Sequence, residues 1–367
     1  MIKALHVFGS LNIGGAETMV MNIFRNYEGS DMVFDFAVLC GDEVGEYEQE
    51  VKDRGREVYH ITKRSTSLIR HHRELIDLVR RNKYDVVHFH SANSVFSALH
   101  VFAMKRTGAK CVIHSHSTSD WRVKHPFLQK LAWPYLQKHT DLMLSCSTEA
   151  ARWLFGTADN VGLLPIPVDC AKFLFSNERQ AELKKKYGFE GKSIYAHTGR
   201  LTGLKNHRLI LDVFEKLAAE KDDAVLFFMG DGELKGELQQ AIKEKKLEGK
   251  VIMWGSIPDV YEKLLMADFF IFPSEYEGFP TAVLEAQAAG LRCCISDTIT
   301  REVAVTDLVE YISIAKEGRT ERWYERIKDA EPLPEELRIS ANRKVAEKYD
   351  IHSVVGELQS FYEGILK

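Results

Sequence analysis

Apolar positions along this chain follow two rhythms that take turns. Short β-branched or aromatic runs read as strands: "IKALHVF" (2–8), "VFDFAVL" (33–39), "REVYHI" (56–61), "DVVHFH" (85–90), "KCVIHS" (110–115) and "DLMLSC" (141–146). Between them the apolar spacing is helical. After Gly14-Gly15, Val20, Ile23, Phe24 and Tyr27 keep the i, i+3, i+4, i+7 pattern. The scheme repeats in "SIYAHTG" (193–199), "AVLFFMG" (224–230), "KVIMWG" (250–255), "DFFIFPS" (268–274) and "RCCIS" (292–296). Strands alternating with helices predict α/β architecture with parallel, doubly wound sheets. "LLPIPVD" (163–169) places two prolines within three residues and breaks both periodicities, so the domain linker is expected there. The last stretch puts Val354, Val355, Leu358, Phe361, Tyr362, Ile365 and Leu366 on one helical face, which must pack on something. The expected domains are 1–166 and 167–345, followed by a terminal helix over 346–367. Two such domains would hold ligands at the carboxyl ends of their strands, in the cleft between them.

Composition narrows the class. A chain of 367 residues, 45% hydrophobic, can bury two cores. No run approaches eighteen apolar residues, and the N-terminus enters a strand pattern at once, so a cytosolic protein without a signal peptide is expected. The six cysteines lack CxxC spacing and read as reduced, buried thiols rather than bridges or zinc ligands. A net charge of −4 argues against a general nucleic-acid binder. Residues 1–167 carry 20 Lys and Arg against 18 acids, the remainder 29 against 35, and eleven of the 14 histidines fall in the first part.

Several glycine-containing turns follow strands. "FGSLNIGGAETMV" (8–20) offers Gly9, Gly14 and Gly15 before a helix N-terminus, where backbone can approach a ligand closely. The spacing is not GxGxxG, no acidic residue supports a nicotinamide cofactor, and a plain βα turn fits equally well. "HTGRLTGLKNHRLILDVF" (197–214) presents Arg200 and Lys205, a planar fork and a point charge suited to a diphosphate, or else two solvated loop cations. "FFMGDGELKGEL" (227–238) and "WGSIPDVYEKL" (254–264) add further strand–turn units, and several converging at one sheet edge point to a nucleotide. No D-x-D occurs, so no metal or other cofactor is expected, and the cationic pair would neutralise a leaving diphosphate. In "HSHSTS" (114–119) one histidine is expected in the core and the other, His116, toward the cleft, with a purely structural pair as the alternative. "PSEYEGFPTAVLEAQAAG" (273–290) sets Glu277 and Glu285 eight apart around a Gly-Phe-Pro turn. They read as a solvated helix edge, as metal ligands or as holders of a polyhydroxylated ligand.

Taken in order, "GGAE", "HTGRL...KNH", "GDGEL" and "PSEYEGFPTAVLEAQAAGL" resemble the retaining glycosyltransferase family 4 nearly end to end. "CSTEAARWLFG" (146–156) and "EAQAAGLRCCISDTITREV" (285–303) are similar to bacterial exopolysaccharide and capsule enzymes. The resemblance implies the GT-B fold, two Rossmann-like domains with the nucleotide-sugar donor in the second and the terminal helix crossing back to the first. It implies that Glu285 binds the ribose diol and Glu277 the hydroxyls of the transferred sugar. Gly278, Phe279 and Thr281, flanking Pro280, would face the phosphates with backbone N–H groups that proline lacks. Arg200 and Lys205 would stabilise the departing diphosphate. His116 would reach the donor sugar, with His90 and Asp120 on the acceptor side. Gly15 and Gly230 would let loops approach, and Ser256 and Ile257 would contact the base. Retention through a front-face mechanism, in which the leaving phosphate takes the acceptor proton, follows from the resemblance. A covalent route would need a nucleophile such as Glu17, which reads better as a complement to its helix dipole. The linker "PIPVD" departs from the Asn-Gly turn that relatives commonly carry there.

The expected activity is transfer of a hexosyl or N-acetylhexosaminyl group, from a UDP-sugar, to a glycan or lipid-diphosphate-linked acceptor for surface polysaccharide. A nucleotide-sugar epimerase of GT-B fold and a non-catalytic nucleotide-binding partner are the alternatives. "WRVKHPFLQKLAWPYLQKH" (121–139) contains no acid but has cations and Trp121, Phe127, Trp133 and Tyr135, with its helix interrupted at Pro134. With the basic stretch 63–83 it suits peripheral contact with anionic headgroups at the inner membrane face, or a core helix with a solvated cationic side.

Overall fold

The computed structural model describes residues 1–117 and 126–367, so Asp120 and Trp121 lie outside the described residues. The chain forms two compact units, Met1–Pro167 with Ile351–Lys367, and Val168–Asp350.

The first unit is built on β1 (Ile2–Phe8), β2 (Met32–Val38), β3 (Val58–His60), β4 (Val86–Ser91), β5 (Lys110–Ser115), β6 (Leu142–Ser145) and β7 (Gly162–Leu163). They form a parallel sheet in the order β3-β2-β1-β4-β5-β6-β7. The direction of growth reverses between β1 and β4, because right-handed crossovers to either side of β1 place helices on opposite faces. On one face Leu5, Val7, Val87, Phe89, Cys111 and Ile113 meet the helices Leu68–Asn82, Ser94–Met104, Pro126–His139 and Thr148–Phe155. On the other, the helix Gly15–Asn26 sets Phe24 against Phe34 and Phe36, and the terminal helix Ile351–Leu366 brings Tyr362 to His88. Of the terminal apolar stripe, Val354, Val355, Leu358 and Tyr362 are buried and Leu366 stays exposed.

Two features of this unit depart from the sequence expectation. A two-residue strand, β7, opens the linker segment ahead of its prolines. The helix Pro126–His139 runs through Pro134 instead of breaking there. Proline removes one intrahelical hydrogen bond, a loss that packing against the neighbouring helices Ser94–Met104 and Thr148–Phe155 offsets.

The second unit holds β8 (Ser193–Thr198), β9 (Ala224–Met229), β10 (Val251–Gly255), β11 (Phe269–Phe272), β12 (Arg292–Ser296) and β13 (Val309–Ile312). Their parallel order is β10-β9-β8-β11-β12-β13. β13, "VEYI", is too short and too polar to stand out in the periodicity. Every residue of β9 and β11 is buried, as expected for strands covered on both faces. Apolar clusters lie on each side: Ile194, Phe227, Phe270 and Cys293 on one, Tyr195, Leu226, Phe269 and Trp323 on the other. All six cysteines are free thiols, and all but Cys40 are buried.

Candidate functional site at the switch point of the second sheet

In the second sheet β8 and β11 are the neighbours between which the strand order reverses, which is where loops diverge and leave room for a ligand. The loops after β8, β9 and β10 are locked by backbone. Gly199 N–H donates to Met229 O at 2.9 Å, Leu201 N–H to Asp231 O at 3.0 Å, and Gly230 N–H to Gly255 O at 2.8 Å. This stacking explains two glycines. A Cβ on Gly230, at φ +139°, would sit 2.1 Å from Gly199 O, and one on Gly232 would sit 2.6 Å from Leu201 O. The loop after β11 ties into the same assembly, with Glu275 N–H donating to Leu204 O at 2.8 Å.

Lys205 and Glu277 meet on this frame. Lys205 ends a single 3₁₀ turn, Gly203–Lys205, and Asn206 at φ 59° then caps the helix His207–Glu220. The ammonium pairs with Glu277 Oε1 and lies 5.0 Å from the Phe272 ring centroid. Ser274 Oγ donates to the same carboxylate oxygen at 2.5 Å. Both partners are mostly shielded, with side-chain exposures of 19% and 14%. Arg200 is exposed and has no side-chain partner among the described residues, so the two cations are placed differently: one preloaded on a carboxylate, one open to solvent.

The helix Thr281–Ala288 starts from Pro280, and the N–H groups of Thr281 and Ala282 find no acceptor among the described residues. Free N–H groups at a helix start favour anions. Phe279 is fixed by stacking on Tyr349, 6.0 Å between ring centroids. Gly278 is half-buried in the turn, Ser256 is exposed, and Ile257 packs on the core. Glu285, on the second turn, is half-buried, its carboxyl has no hydrogen-bond partner among the described residues, and desolvation pushes that carboxyl up to about 7. Sequence reasoning missed Ser274 and Asn206. The signals were there in principle, a hydroxyl three residues before a glutamate and an asparagine placed to adopt the left-handed conformation.

The first unit gathers a different set. The β1–β4 register pairs His6 with His88, and the β4–β5 register pairs His90 with His114. His116 follows two residues after His114, with ring centroids 3.9 Å apart. This corrects the expectation that the two histidines point to opposite faces. Residues i and i+2 of a strand share a face, so both sit with His6, His88 and His90 on one side of the sheet. His6 and His116 are held down to about 3 by burial, and His88, His90 and His114 well below the usual imidazole range. Ring nitrogens of His6, His88 and His90, and of His90, His114 and His116, lie within 4.8 Å of one another, as do those of His71, His72 and His100. Hydrogen bonds link His6 to His90 and His90 to His116. Gly15 opens its helix with empty space where a Cβ would stand, so packing does not require glycine there. Glu17 folds back over Gly14, and burial raises its carboxyl above the usual range.

The outer sides of the helices Leu68–Asn82, Ser94–Met104 and Pro126–His139 expose Ile69 (83%), Phe102 (52%), Phe127 (61%) and Leu131 (73%). A groove of about 480 Å³ between the first two is lined by Ile69, Arg73, Ile76, Arg80, Phe102 and Arg106. Arg64 lies over the Phe96 ring at 3.6 Å and Arg106 over Phe102 at 5.0 Å. Among the described residues no helix is long and apolar enough to cross a membrane.

Two doubly wound parallel sheets, the second carrying stacked glycine loops, an ion pair and free N–H groups at its switch point, define a protein of GT-B architecture. The family description "Glycosyltransferase Family 4" matches residues 13–172 and "Glycosyl transferases group 1" matches residues 179–346. EpsF of Bacillus subtilis (strain 168) is 30% identical over 98% of this chain and 96% of its own length. The chain belongs to glycosyltransferase family 4 and is a glycosyltransferase. An Escherichia coli UDP-Gal:α-D-GlcNAc-diphosphoundecaprenol α-1,3-galactosyltransferase is 28% identical over 81% of this chain and 79% of its own. The crystal structure of Anabaena HepE in complex with UDP superposes with a TM-score of 0.79 at 14% identity, covering 99% of this chain and 100% of that one.

Proposed function

We propose that the protein transfers a hexosyl or N-acetylhexosaminyl group from a UDP-sugar to a glycan or lipid-diphosphate-linked acceptor in surface polysaccharide synthesis, with retention and without metal. The observation that carries the donor site is the pairing of Lys205 with Glu277 beside a helix start with free N–H groups. In this reading the diphosphate takes Lys205, Arg200 and the N–H groups of Thr281 and Ala282. Glu285 accepts from the ribose diol, Glu277 and Ser274 hold the transferred sugar, and Ser256 and Ile257 flank the base through backbone groups. UDP in HepE and UDP-Gal in the E. coli relative's name support the choice of uridine.

In the reaction, the bond between the anomeric carbon and the β-phosphate oxygen breaks with its electron pair going to UDP. The acceptor oxygen bonds to the same carbon on the same face, and its proton passes to the departing phosphate. Arg200 and Lys205 stabilise the charge that develops there. His116, with His90, serves a substrate hydroxyl. Slow release of UDP from a UDP-sugar without acceptor tests the reading. Failure to bind or hydrolyse any UDP-sugar counts against it.

The acceptor reading includes peripheral contact with the cytoplasmic leaflet. The exposed Ile69, Phe102, Phe127 and Leu131 lie among cations on three helices whose only acids are Glu74 and Asp77. Apolar side chains with mostly cationic charge around them match an anionic bilayer surface, and the E. coli relative's named acceptor is a diphosphoundecaprenol lipid.

A further inference from the structure

Three histidines away from the sheet edge converge between two helices of the first unit. His71 and His72 lie on the helix Leu68–Asn82, and His100 lies on the helix Ser94–Met104. One ring nitrogen from each lies within 4.8 Å of the other two. His71 and His100 are buried and His72 is half-buried. His100 is also fixed by stacking on Phe89, with ring centroids 4.5 Å apart.

Backbone carbonyls decide where two of these rings carry their protons. His71 Nδ1 lies 2.7 Å from Thr62 O, and His72 Nδ1 lies 3.0 Å from Leu68 O. A carbonyl oxygen only accepts, so both Nδ1 atoms donate and each neutral ring keeps its lone pair on Nε2. His72 Nε2 is buried and has no partner among the described residues, while His71 Nε2 faces His100 Nε2 at 3.4 Å. Neither tautomer of His100 settles the cluster. A proton on its Nε2 makes one long hydrogen bond to His71 and leaves His72 Nε2 unpaired. A proton on its Nδ1 sets two lone pairs against each other, and that buried Nδ1 has no acceptor either.

The same geometry suits a metal ion. A ligating histidine usually donates its other ring N–H to a carbonyl or carboxylate, as His71 and His72 do. Two nitrogens bound to a tetrahedral zinc stand about 3.3–3.4 Å apart, and His71 Nε2 and His100 Nε2 are already 3.4 Å apart. We infer that His71, His72 and His100 form a binding site for a zinc-class divalent ion, with each ring ligating through Nε2 and a fourth position left for water. An all-imidazole set fits zinc and its transition-metal neighbours, not calcium or magnesium, which take oxygen ligands. The histidines of the sheet lack this preparation. His6, His88, His90 and His116 bond to one another or to the Tyr362 phenol, so no carbonyl fixes where their lone pairs point. His72 also lines the groove between the two helices, which gives the ion a way in. The ion would tie together the helices that expose Ile69 and Phe102. None of its ligands belongs to the proposed donor site, so the metal-free reading of the transfer is unaffected.

Zinc titration of the chelator-treated full chain, followed by calorimetry and thermal unfolding, tests the site. The native protein is expected to bind one equivalent in the micromolar range or tighter, and to unfold at a higher temperature with zinc than without. His72→Gln and His100→Phe, the latter keeping a ring on Phe89, should each weaken binding at least about 100-fold and lose the thermal shift. Losing even an outer partner of a ligand costs about 10- to 100-fold. His116→Gln, in the sheet cluster, should bind zinc as the native chain does. No binding in the micromolar range would overturn the site and leave a buried water as its occupant. Binding lost in His116→Gln, or unchanged in His72→Gln, would overturn it by placing the ion elsewhere. If His100→Phe does not unfold cooperatively, His72→Gln, at a half-buried position, decides alone.

Discussion

Lys205 and Glu277, 72 residues apart in sequence, form a shielded ion pair at the carboxyl edge of β8 and β11. In the proposed donor site, an entering diphosphate draws Lys205 away from Glu277 and frees the carboxylate for the sugar. Lys205→Ala should therefore weaken UDP binding by roughly 10- to 100-fold, the scale of a charge-assisted hydrogen bond. Glu277→Gln should leave UDP binding unchanged or tighter, because its competitor is gone, yet lower turnover of the UDP-sugar by a similar factor. Calorimetry with UDP and steady-state rates separate the two. Equal loss of UDP affinity in both variants would contradict the assignment.

Glu285 gives a pH dependence with a definite sign. Burial raises its carboxyl from 4.5 to about 7, so the folded state favours the protonated form. Its stability contribution is lost as pH rises from about 4.5 to about 7. Glu285→Gln should be close to neutral at pH 5 and more stable than the native protein at pH 8, by on the order of 2 kcal/mol once partial exposure is allowed for. A ribose diol prefers the carboxylate, so UDP should bind more tightly from pH 6 to pH 8 in the native protein than in the Gln variant. That comparison cancels the titration of UDP itself. Parallel pH profiles of the two proteins would be the contrary outcome.

The glycine loops predict a matched pair of substitutions. Gly230→Ala forces a side chain into a 2.1 Å clash with Gly199 O at a left-handed φ, and should cost more than about 3 kcal/mol in urea unfolding. Gly236→Ala, exposed in the helix Lys235–Glu244 with nothing within 4 Å of its Cβ, should stabilise by about 0.5–1 kcal/mol. Similar effects at the two positions would show that backbone stacking of the loops is not what holds the site.

The exposed apolar face of the first unit predicts vesicle binding. Co-sedimentation with phosphatidylglycerol vesicles should be lost in Ile69→Asp with Leu131→Asp, and weakened by salt, while UDP binding in solution stays unchanged. Equal binding to neutral and anionic vesicles, or none to either, would remove the membrane reading.

Much of the fold was legible because each strand candidate was bounded by turn residues and followed by helical spacing. The exceptions have physical reasons. β7 and β13 are too short for periodicity, and Pro134 is tolerated because neighbouring helices hold its segment. At the site, Lys205, Glu277 and Glu285 were legible from the block that contains them. Their electrostatic states were not, since the pairing of Lys205 with Glu277 and the desolvation of Glu285 depend on contacts between distant segments. The histidine cluster of the first sheet was hidden for a simpler reason. His114 and His116 are two apart on a strand and therefore share a face, and only strand order brings His6, His88 and His90 beside them.

In the proposed donor site, the loops around Lys205, Glu277 and Glu285 hold a uridine diphosphate without metal. Hydrogen–deuterium exchange with and without UDP, in the presence of a chelator, tests it most directly. Exchange is expected to slow in residues 199–206 and 278–285 with little change in the first unit. No protection, or protection confined to segments outside those loops, would contradict it.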